Sequence, residues 1–264
     1  MAGLRLLEGH PALIVEKPYR AVAVADLHIG FEEELRMRGV RVPLQSRKIV
    51  NELVQLVENT DADKLIVVGD LKHNVTGPSS LESEILPKFL RELRKHVDEI
   101  IVLPGNHDGR IERVLGEFAT FYPSRGMFVE EEKLAFTHGH VKPYKNLVKA
   151  SVIVTGHLHP VLRIGVGEAG ARLRVWLKLK GSRKQLYEAL YGETCPGLKG
   201  DVTLLIMPSF NSMLQGRSIV DLSLSKLVRG PLLNTGVFDI DKAEVIALDG
   251  SVLGSLGRLR EIIA

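Results

Sequence analysis

The amino-acid sequence predicts an α/β fold in which two sheets pack face to face. In the first two-thirds of its 264 residues, short β-branched apolar segments alternate with segments of helical periodicity. This alternation is typical of parallel strands joined by helices. After Pro160 the sequence reads mainly as strands, so a second sheet is expected to pack on the first. Because no repeat or low-complexity linker interrupts the chain, a single domain over residues 1–264 is the simplest organisation.

The alternating part contains five predicted strands, at residues 20–25, 64–68, 100–103, 133–137 and 152–155. Val50, Leu53 and Val57 recur at helical spacing and predict a helix over 44–58. The sequence Ser79-Ser-Leu-Glu82 matches a capping box and predicts the start of a second helix. Pro87 lies inside that helical pattern and is expected to kink or delay the helix.

The second part contains a short predicted helix over 184–191 and predicted strands at 161–166, 172–179, 202–207, 236–240 and 244–248. The last two strands are expected to form a hairpin-like pair. The stretch from Gly165 to Gly170 matches the dinucleotide-binding pattern G-x-G-x-x-G, but that motif requires a helix after it. A strand follows instead, so we interpret these glycines as a hairpin turn.

Charge patterning leaves two interpretations of a basic strip, comprising Arg172, Arg174, Lys178, Lys180, Arg183 and Lys184. The favoured interpretation is the solvated face of a strand, where lysines discourage aggregation. The alternative is a nucleic-acid backbone site. The net charge of +3 does not by itself favour nucleic acid. The acidic triplet 32–34 is expected to be a solvated turn or helix face.

Membrane and secreted classes are disfavoured by the sequence. No apolar run approaches the roughly 18 residues that span a bilayer, and the first residues lack the apolar core of a signal peptide. The single Cys195 cannot form an intrachain disulfide, which is typical of the reducing cytoplasm. We therefore expect a cytoplasmic protein.

Polar, metal-capable residues follow one predicted strand after another: Asp26 and His28, then Asp70, then Asn106, then His138, then His157 and His159. In open α/β sheets, ligands bind outside the carboxyl ends of the strands, so we expect one crevice to collect these seven side chains. If the backbone stays extended past Gly156, His157 and His159 point the same way. Nearby glycines such as Gly69 and Gly105 let loops crowd round a small ion.

The ligand types indicate which ions to expect. An isolated histidine or aspartate after a strand is usually a turn or capping residue, but five such clusters in sequence favour a metal centre. Imidazole with carboxylate and amide oxygen suits Mn, Fe, Zn, Ni or Co, and the absence of thiolates among these ligands argues against a structural zinc site. Seven ligands suit two ions that share a carboxylate. Asp70 is the natural bridge, since its two oxygens can each take one metal.

The order D-x-H, G-D, G-N-H-D, H-G and G-H-x-H resembles the signature of the calcineurin-like metallophosphoesterases. The stretches 25–30, 69–73 and 137–140 are most similar to predicted prokaryotic and archaeal phosphoesterases related to the SbcD nuclease subunit. The resemblance implies a four-layer α/β/β/α sandwich of two packed mixed sheets. It also implies one metal held by Asp26, His28 and His159, another held by Asn106, His138 and His157, and Asp70 between them.

By the same resemblance, His107 contacts substrate together with Asn106 and protonates the leaving oxygen. Many family phosphatases read G-D-x-x-D, where the second aspartate orients that histidine, whereas this chain has His73 at that position. The departure leaves open how His107 is oriented and whether Asp108 substitutes. His73 and His140 are interpreted either as contacts to substrate phosphate or as supporting or surface histidines.

The predicted function is hydrolysis of a phosphate ester, with a phosphodiester as the first expectation. Two divalent transition-metal ions, with Mn²⁺ first, would share a bridging hydroxide as nucleophile, and His107 would act as general acid. A DNA or RNA nuclease of the SbcD-related type is the alternative. A non-catalytic scaffold on the same fold is a third hypothesis, although no ligand of the signature is missing. A homodimer is compatible with the sequence, and no dedicated protein partner is inferred.

Overall fold

A computed structural model describes residues 3–165, 170–220 and 230–263 of the chain. The strands are β1 (Leu4–Leu6), β2 (Ala12–Val15), β3 (Ala21–Val24), β4 (Lys64–Val67), β5 (Glu99–Val102), β6 (Thr120–Phe121), β7 (Met127–Val129), β8 (Leu134–Phe136), β9 (Val152–Thr155), β10 (Pro160–Ile164), β11 (Ala171–Ser182), β12 (Asp201–Ile206), β13 (Arg217–Ser218), β14 (Glu244–Ala247) and β15 (Val252–Ser255). The helices are α1 (Phe31–Met37), α2 (Ser46–Asn59), α3 (Ser80–Leu93), α4 (Glu112–Leu115), α5 (Arg183–Tyr191) and α6 (Leu256–Ile263). Short 3₁₀ helices cover Lys145–Lys149, Leu233–Thr235 and Ile240–Lys242.

The first sheet has the order β1-β2-β3-β4-β5-β6. Strands β3 to β6 are parallel to one another, whereas β1 and β2 extend the sheet in antiparallel pairs. The second sheet is mixed, with the order β13-β10-β11-β12-β9-β8-β7 and with β14 and β15 continuing from β11. Within it, β9 is parallel to both β8 and β12.

Three apolar clusters separate four layers. The outer cluster of the first sheet packs β-strand residues such as Val22 and Leu65 against α2 and α3. The central cluster joins the two sheets and contains the fully buried Trp176. The third cluster packs the second sheet against α5 and α6 through residues such as Leu177 and Leu186. This layering confirms the predicted α/β/β/α sandwich of two mixed sheets.

Local signals in the sequence explain the two long helices of the first layer. Helix α2 buries its apolar stripe, Ile49, Val50, Leu53, Leu56 and Val57. The capping box before α3 is present, because the Ser79 side chain accepts a hydrogen bond from the Glu82 N–H and the Glu82 carboxylate accepts one from the Ser79 N–H. Pro87 lies inside α3 without ending it.

The structure corrects several predicted elements. Residues 236–240 are not a strand: residues 236–239 connect two 3₁₀ helices and Ile240 begins the second one, and β14 instead pairs with β15. The strands β8 and β9 were expected in one sheet with β3, β4 and β5, but they belong to the second sheet. Strands β10 and β11 pair antiparallel, with Ile164 opposite Ala171, as a hairpin requires. The predicted turn itself spans residues 166–169, which lie outside the described residues.

Within the described ranges, none of the helices combines the length and the apolar character that crossing a bilayer demands.

Candidate metal centre

All seven predicted metal ligands lie within four residues of the carboxyl ends of β3, β4, β5, β8 and β9. Three of these strands belong to the first sheet and two to the second. The crevice therefore lies where the edges of both sheets meet, rather than along one open sheet. Main-chain hydrogen bonds join the first two of these loops, from the Asp26 N–H to the Gly69 carbonyl (3.1 Å) and from the His28 N–H to the Asp70 carbonyl (2.9 Å).

Five of the seven predicted ligands have a left-handed backbone conformation, with φ between 43° and 70°: Asp26, His28, Asp70, His157 and His159. The expectation of an extended path past Gly156 is therefore wrong, because β9 ends at Thr155 and Leu158 is buried between the two histidines. Non-glycine residues in this region cost on the order of 1–3 kcal/mol each and cluster at functional sites.

A first group of ligand atoms comes from Asp26, His28, Asp70 and His159, whose donor atoms lie within 4.8 Å of one another. His159 Nε2 is 3.1 Å from Asp26 Oδ1, and His28 Nε2 is 3.4 Å from Asp70 Oδ2. Both Nε2 atoms are buried, and neither is aligned for a hydrogen bond. Burial raises the pKa of Asp26, but the nearby His159 outweighs it and the net pKa is lowered.

A second group comes from Asp70, His138 and His157, again within 4.8 Å of one another. His138 Nδ1–H donates to the Val68 carbonyl (3.0 Å), which leaves Nε2 facing Asp70 Oδ2 (3.3 Å) and Asn106 Oδ1 (3.3 Å). A carbonyl that fixes one ring nitrogen and presents the other is the usual support of a metal-binding histidine. Burial opposes a charge on His138, but the carboxylate of Asp70 outweighs it and raises the pKa to about 9.

Asp70 connects the two groups, and a single oxygen does so. Oδ2 faces His28 and His138, whereas Oδ1 accepts a hydrogen bond from the His107 N–H (2.9 Å). The expectation that each oxygen takes one metal stays a prediction. A Cβ on Gly105 would overlap Asp70 Oδ1, so the close approach of the loops requires glycine there.

The donor set fits two divalent transition-metal ions. Buried imidazole nitrogens without hydrogen-bond partners converge on buried carboxylates, and such groups are otherwise costly to bury. Nitrogen and oxygen donors of this kind suit Mn, Fe, Zn, Ni or Co. In the metal-free protein, burial raises the pKa of Asp70, but His138 and His28 outweigh it and hold the pKa well below its usual range.

His107 lies beside the two ligand groups and is oriented by the main chain. Its Nδ1–H donates to the carbonyl oxygen of His73, and its Nε2 lies 4.0 Å from Asp70 Oδ2. Its ring meets the His28 ring edge-on, with centroids 4.7 Å apart. The residue at the position of the family's second aspartate, His73, therefore holds the His107 Nδ1–H with its carbonyl, and its ring stacks on the His107 ring with centroids 5.5 Å apart.

Asp108 does not contact the His107 ring in this arrangement. It is 1% exposed and accepts hydrogen bonds from the main-chain N–H groups of Leu71 (3.2 Å), Lys72 (3.1 Å) and Gly105 (2.9 Å). It thus ties the loop after β4 to the loop after β5. Burial raises the pKa of Asp108.

The side chain of His73 connects a metal-ligand candidate to a carboxylate. Its Nδ1 lies 3.1 Å from His28 Nδ1, and its Nε2 lies 2.5 Å from Glu34 Oε2. Glu34 belongs to α1 and to the acidic triplet that the sequence analysis interpreted as solvated. No spacing in the sequence indicates this contact, because 39 residues separate the partners.

His140 lies beside the second ligand group. Its ring centroid is 5.2 Å from that of His138 and 6.2 Å from that of His157. Its Nδ1 is buried without a hydrogen-bond partner. Burial, aided by the charge on His138, lowers the pKa of His140 to about 4.

A turn after β12, residues 208–211, supports the loop that carries Asp26. The buried Asn211 donates from Nδ2 to the Leu27 carbonyl (3.0 Å), and the Phe210 N–H donates to the Ala25 carbonyl (2.8 Å). Sequence reasoning gave this turn no role, because 184 residues separate Asn211 from Leu27.

Much of the basic strip is engaged within the chain. Arg174 donates to the carbonyls of Ser209 and Phe210 (3.1 and 2.8 Å). Lys178 lies 2.7 Å from Glu244, and Arg172 donates to Gln215 (3.0 Å). These contacts favour a structural role over a nucleic-acid backbone site.

Comparisons with known proteins agree with this arrangement. Residues 19–161, more than half of the chain, match the family described as calcineurin-like phosphoesterase. The chain belongs to this family. Phosphodiesterase YfcE of Escherichia coli (strain K12) is 26% identical over 110 residues, which cover 40% of this chain and 60% of that protein. The chain thus matches less than two-thirds of that relative's length.

A solved structure shows the same fold over nearly the whole chain. The Pseudomonas putida nuclease MPE superposes with a TM-score of 0.52 at 17% identity, covering 93% of this chain and 97% of that one.

Proposed function

We propose that this protein is a dinuclear metal-dependent phosphodiesterase. The observation that carries the proposal is the pair of ligand groups that share the buried Asp70 carboxylate, with His107 beside them. Membership of the calcineurin-like phosphoesterase family supports a phosphate ester as substrate, and the related YfcE is named a phosphodiesterase.

In this proposal Asp26, His28 and His159 hold one cation, and Asn106, His138 and His157 hold the other. Asp70 lies between them. We propose Mn²⁺ as the native ion, and the donor set also admits Fe, Zn, Ni or Co. When bound, a pair of such cations lowers the pKa of a water and neutralises charge on the phosphate.

His107 is the proposed general acid. Since its Nδ1–H is held by the His73 carbonyl, Nε2 is the atom that can carry a proton to the departing alkoxide. Such a transfer contributes roughly 10²–10⁴-fold. The exposed Asn106 side chain is proposed to donate from its amide to a non-bridging oxygen while its carbonyl faces the second cation.

The other two histidines take different roles in this proposal. Both ring nitrogens of His73 lie within hydrogen-bond distance of neighbours, Glu34 and His28, so we propose that it positions them rather than contacting phosphate. His140 has a buried ring nitrogen without a partner and is proposed to face the substrate.

The choice of a diester over a monoester is proposed from the related YfcE, which is named a phosphodiesterase. The carboxylates of Asp70 and Glu34 lie near His107, and the Lys72 ammonium donates to the carbonyls of His107 and Asn74. Two bound cations would offset these carboxylates, so charge alone does not separate the two kinds of ester.

A nuclease is the second candidate, because the sequence resembles the SbcD-related branch and shares its fold with a nuclease from Pseudomonas putida. A nuclease that grips a nucleic-acid backbone loses activity steeply with salt on DNA or RNA but not on a small diester. Equal salt dependence on both substrates favours the general diesterase.

The direct test compares the Mn²⁺-supplemented protein on bis-p-nitrophenyl phosphate and on p-nitrophenyl phosphate. We expect faster hydrolysis of the diester, loss of activity in Asp70→Asn, and full activity in Asp61→Asn, which changes an exposed carboxylate. His107→Ala is expected to slow an alkyl diester far more than the aryl diester, because a poor leaving group needs the proton most. Equal losses on both esters remove His107 from the acid role, and no turnover on any ester favours the non-catalytic scaffold.

We also propose one domain, since the central cluster around Trp176 joins both sheets. A cytoplasmic location is proposed from the single Cys195. The assembly state stays a prediction, with a homodimer as one arrangement to test.

A further inference from the structure

A cavity of about 450 Å³ opens beside the second ligand group. Its lining includes Gly105, Arg110, Tyr122, Ser124 and His140. We call it the Tyr122 cavity. Gly105 immediately precedes the candidate ligand Asn106, and the His140 ring is 5.2 Å from that of His138. The cavity therefore adjoins the candidate metal centre.

A second cavity, of about 290 Å³, lies on the His107 side. Its lining includes Glu34, Met37, His73, Val75 and His107. The two cavities thus flank the centre, one beside each ligand group, as the two organic groups of a diester require. The group that departs with the proton of His107 belongs on the His107 side, so the retained group belongs in the Tyr122 cavity.

The Tyr122 cavity offers the chemistry that recognises a nucleoside. The Tyr122 side chain is 37% exposed, and its main-chain N–H is fixed to the Val102 carbonyl at the end of β5 (2.9 Å). Aromatic rings of this kind stack on bases, and arginine adds a cation for the base face or for a phosphate. The exposed Arg110 is available for that role.

Two further features fit the same ligand. The buried His140 Nδ1 has no hydrogen-bond partner within the described structure, so it can bind a hydroxyl or a base edge. The cavity volume lies in the range of small-molecule sites. The cavity on the His107 side is lined by three carboxylates, Glu33, Glu34 and Glu82, and its described lining includes neither lysine nor arginine. The lining of the Tyr122 cavity pairs Arg110 with Glu112 and with the buried Asp108. The Tyr122 cavity is therefore the better suited of the two to an anionic nucleotide.

We propose that the Tyr122 cavity binds the nucleoside of a nucleotide diester, which makes such diesters the substrate class. This inference rests on the proposed phosphodiesterase function. In the reaction a water oxygen bonds to phosphorus, and the bond from phosphorus to the leaving alcohol breaks. The proton of His107 goes to that alcohol, and the nucleoside monophosphate is retained on the Tyr122 side.

The test uses two esters with the same leaving group. Methyl p-nitrophenyl phosphate retains a methyl group, and thymidine 5′-(p-nitrophenyl phosphate) retains a nucleoside. We expect the Mn²⁺-loaded wild type to show the higher kcat/KM on the nucleoside ester. Tyr122→Ala is expected to reduce kcat/KM on that ester about 5- to 150-fold more than on the methyl ester, the range to which base stacking corresponds.

Two variants separate stacking from folding. Tyr122→Phe keeps the aromatic face and is expected to keep the preference for the nucleoside ester. If circular dichroism shows that Tyr122→Ala is unfolded, Tyr122→Leu replaces it, since it keeps bulk without a ring. Tyr187→Ala, which alters a tyrosine on α5 against the opposite face of the second sheet, is the matched control and is expected to retain the preference.

The outcomes distinguish the two proposals. If the protein hydrolyses neither of the two esters, that result contradicts the phosphodiesterase function itself. Hydrolysis of both esters without preference, or equal losses on both in Tyr122→Ala, overturns the nucleoside site and leaves the phosphodiesterase function standing.

Discussion

Replacing Asp108 tests whether one buried carboxylate holds the two central loops together. Its Oδ2 accepts from the N–H groups of Leu71 and Gly105, and its Oδ1 accepts from the N–H of Lys72. Asp108→Ala leaves three buried donors without partners, each costing about 1–3 kcal/mol. The free energy of unfolding is therefore expected to fall by about 3–9 kcal/mol. This is a large part of the roughly 5–15 kcal/mol that stabilises a typical domain.

Asp108→Asn separates the hydrogen bonds from the charge. An asparagine oxygen at the Oδ2 position keeps two of the three bonds, and its amide opposes the Lys72 N–H. The expected loss is therefore that of one bond, about 1–3 kcal/mol. Asp249→Ala is the matched control, because Asp249 is exposed and accepts a single main-chain bond from Ser251.

Urea unfolding in the presence of a chelator, monitored by circular dichroism, measures these losses of stability as shifts in the urea concentration at the unfolding midpoint. The predicted order of destabilisation is Asp108→Ala, then Asp108→Asn, then Asp249→Ala. An Asp108→Ala protein within about 1 kcal/mol of the wild type, or equal losses for alanine and asparagine, refutes the reasoning from hydrogen bonds.

Two further predictions concern the histidines of the site. Glu34→Leu removes the acceptor from His73 Nε2 and so loosens the support of His28; we expect metal affinity, measured by calorimetry, to fall about 10- to 100-fold. Glu33→Leu on the same helix is the control, and equal affinities for the two variants would exclude this role. The metal-free protein should be most stable near pH 6.5 in urea titrations. Burial, aided by His138, lowers the pKa of His157 to about 4, so stability falls as the pH drops from about 6.5 to 4, where the unfolded chain binds more protons. His138 has a raised pKa of about 9, so its contribution to the stability of the folded chain is complete below about pH 6.5 and is lost as the pH rises towards 9. A stability that does not change between pH 4 and 9 would contradict the shifted pKa values of both His157 and His138.

Elements with strong local signals were predictable from the sequence. Strand β9, Val152–Thr155, has the predicted bounds, because a β-branched run beside glycine has few alternatives. The capping box at Ser79 set the start of α3. Residues 236–240 were predicted wrongly because a short apolar segment does not distinguish a strand from 3₁₀ turns that pack their apolar side chains on a sheet.

At the site, the order of the motifs predicted which side chains meet but not how they meet. His157 and His159 have a left-handed backbone in the loop between β9 and β10, and no local pattern in the sequence predicts that conformation. The contact of His73 with Glu34, and the position of Asp70 Oδ2 between His28 and His138, depend on loops brought together by tertiary packing. Such contacts leave no periodicity or spacing for a sequence to display.

The most direct measurement of the central claim is the number and position of Mn²⁺ ions bound by the chain, from elemental analysis and anomalous scattering. We predict two ions per chain, one at each of the two ligand groups that share Asp70, and fewer in Asp70→Ala. A wild-type chain that binds one ion or none, or anomalous peaks away from Asp70, would contradict the account.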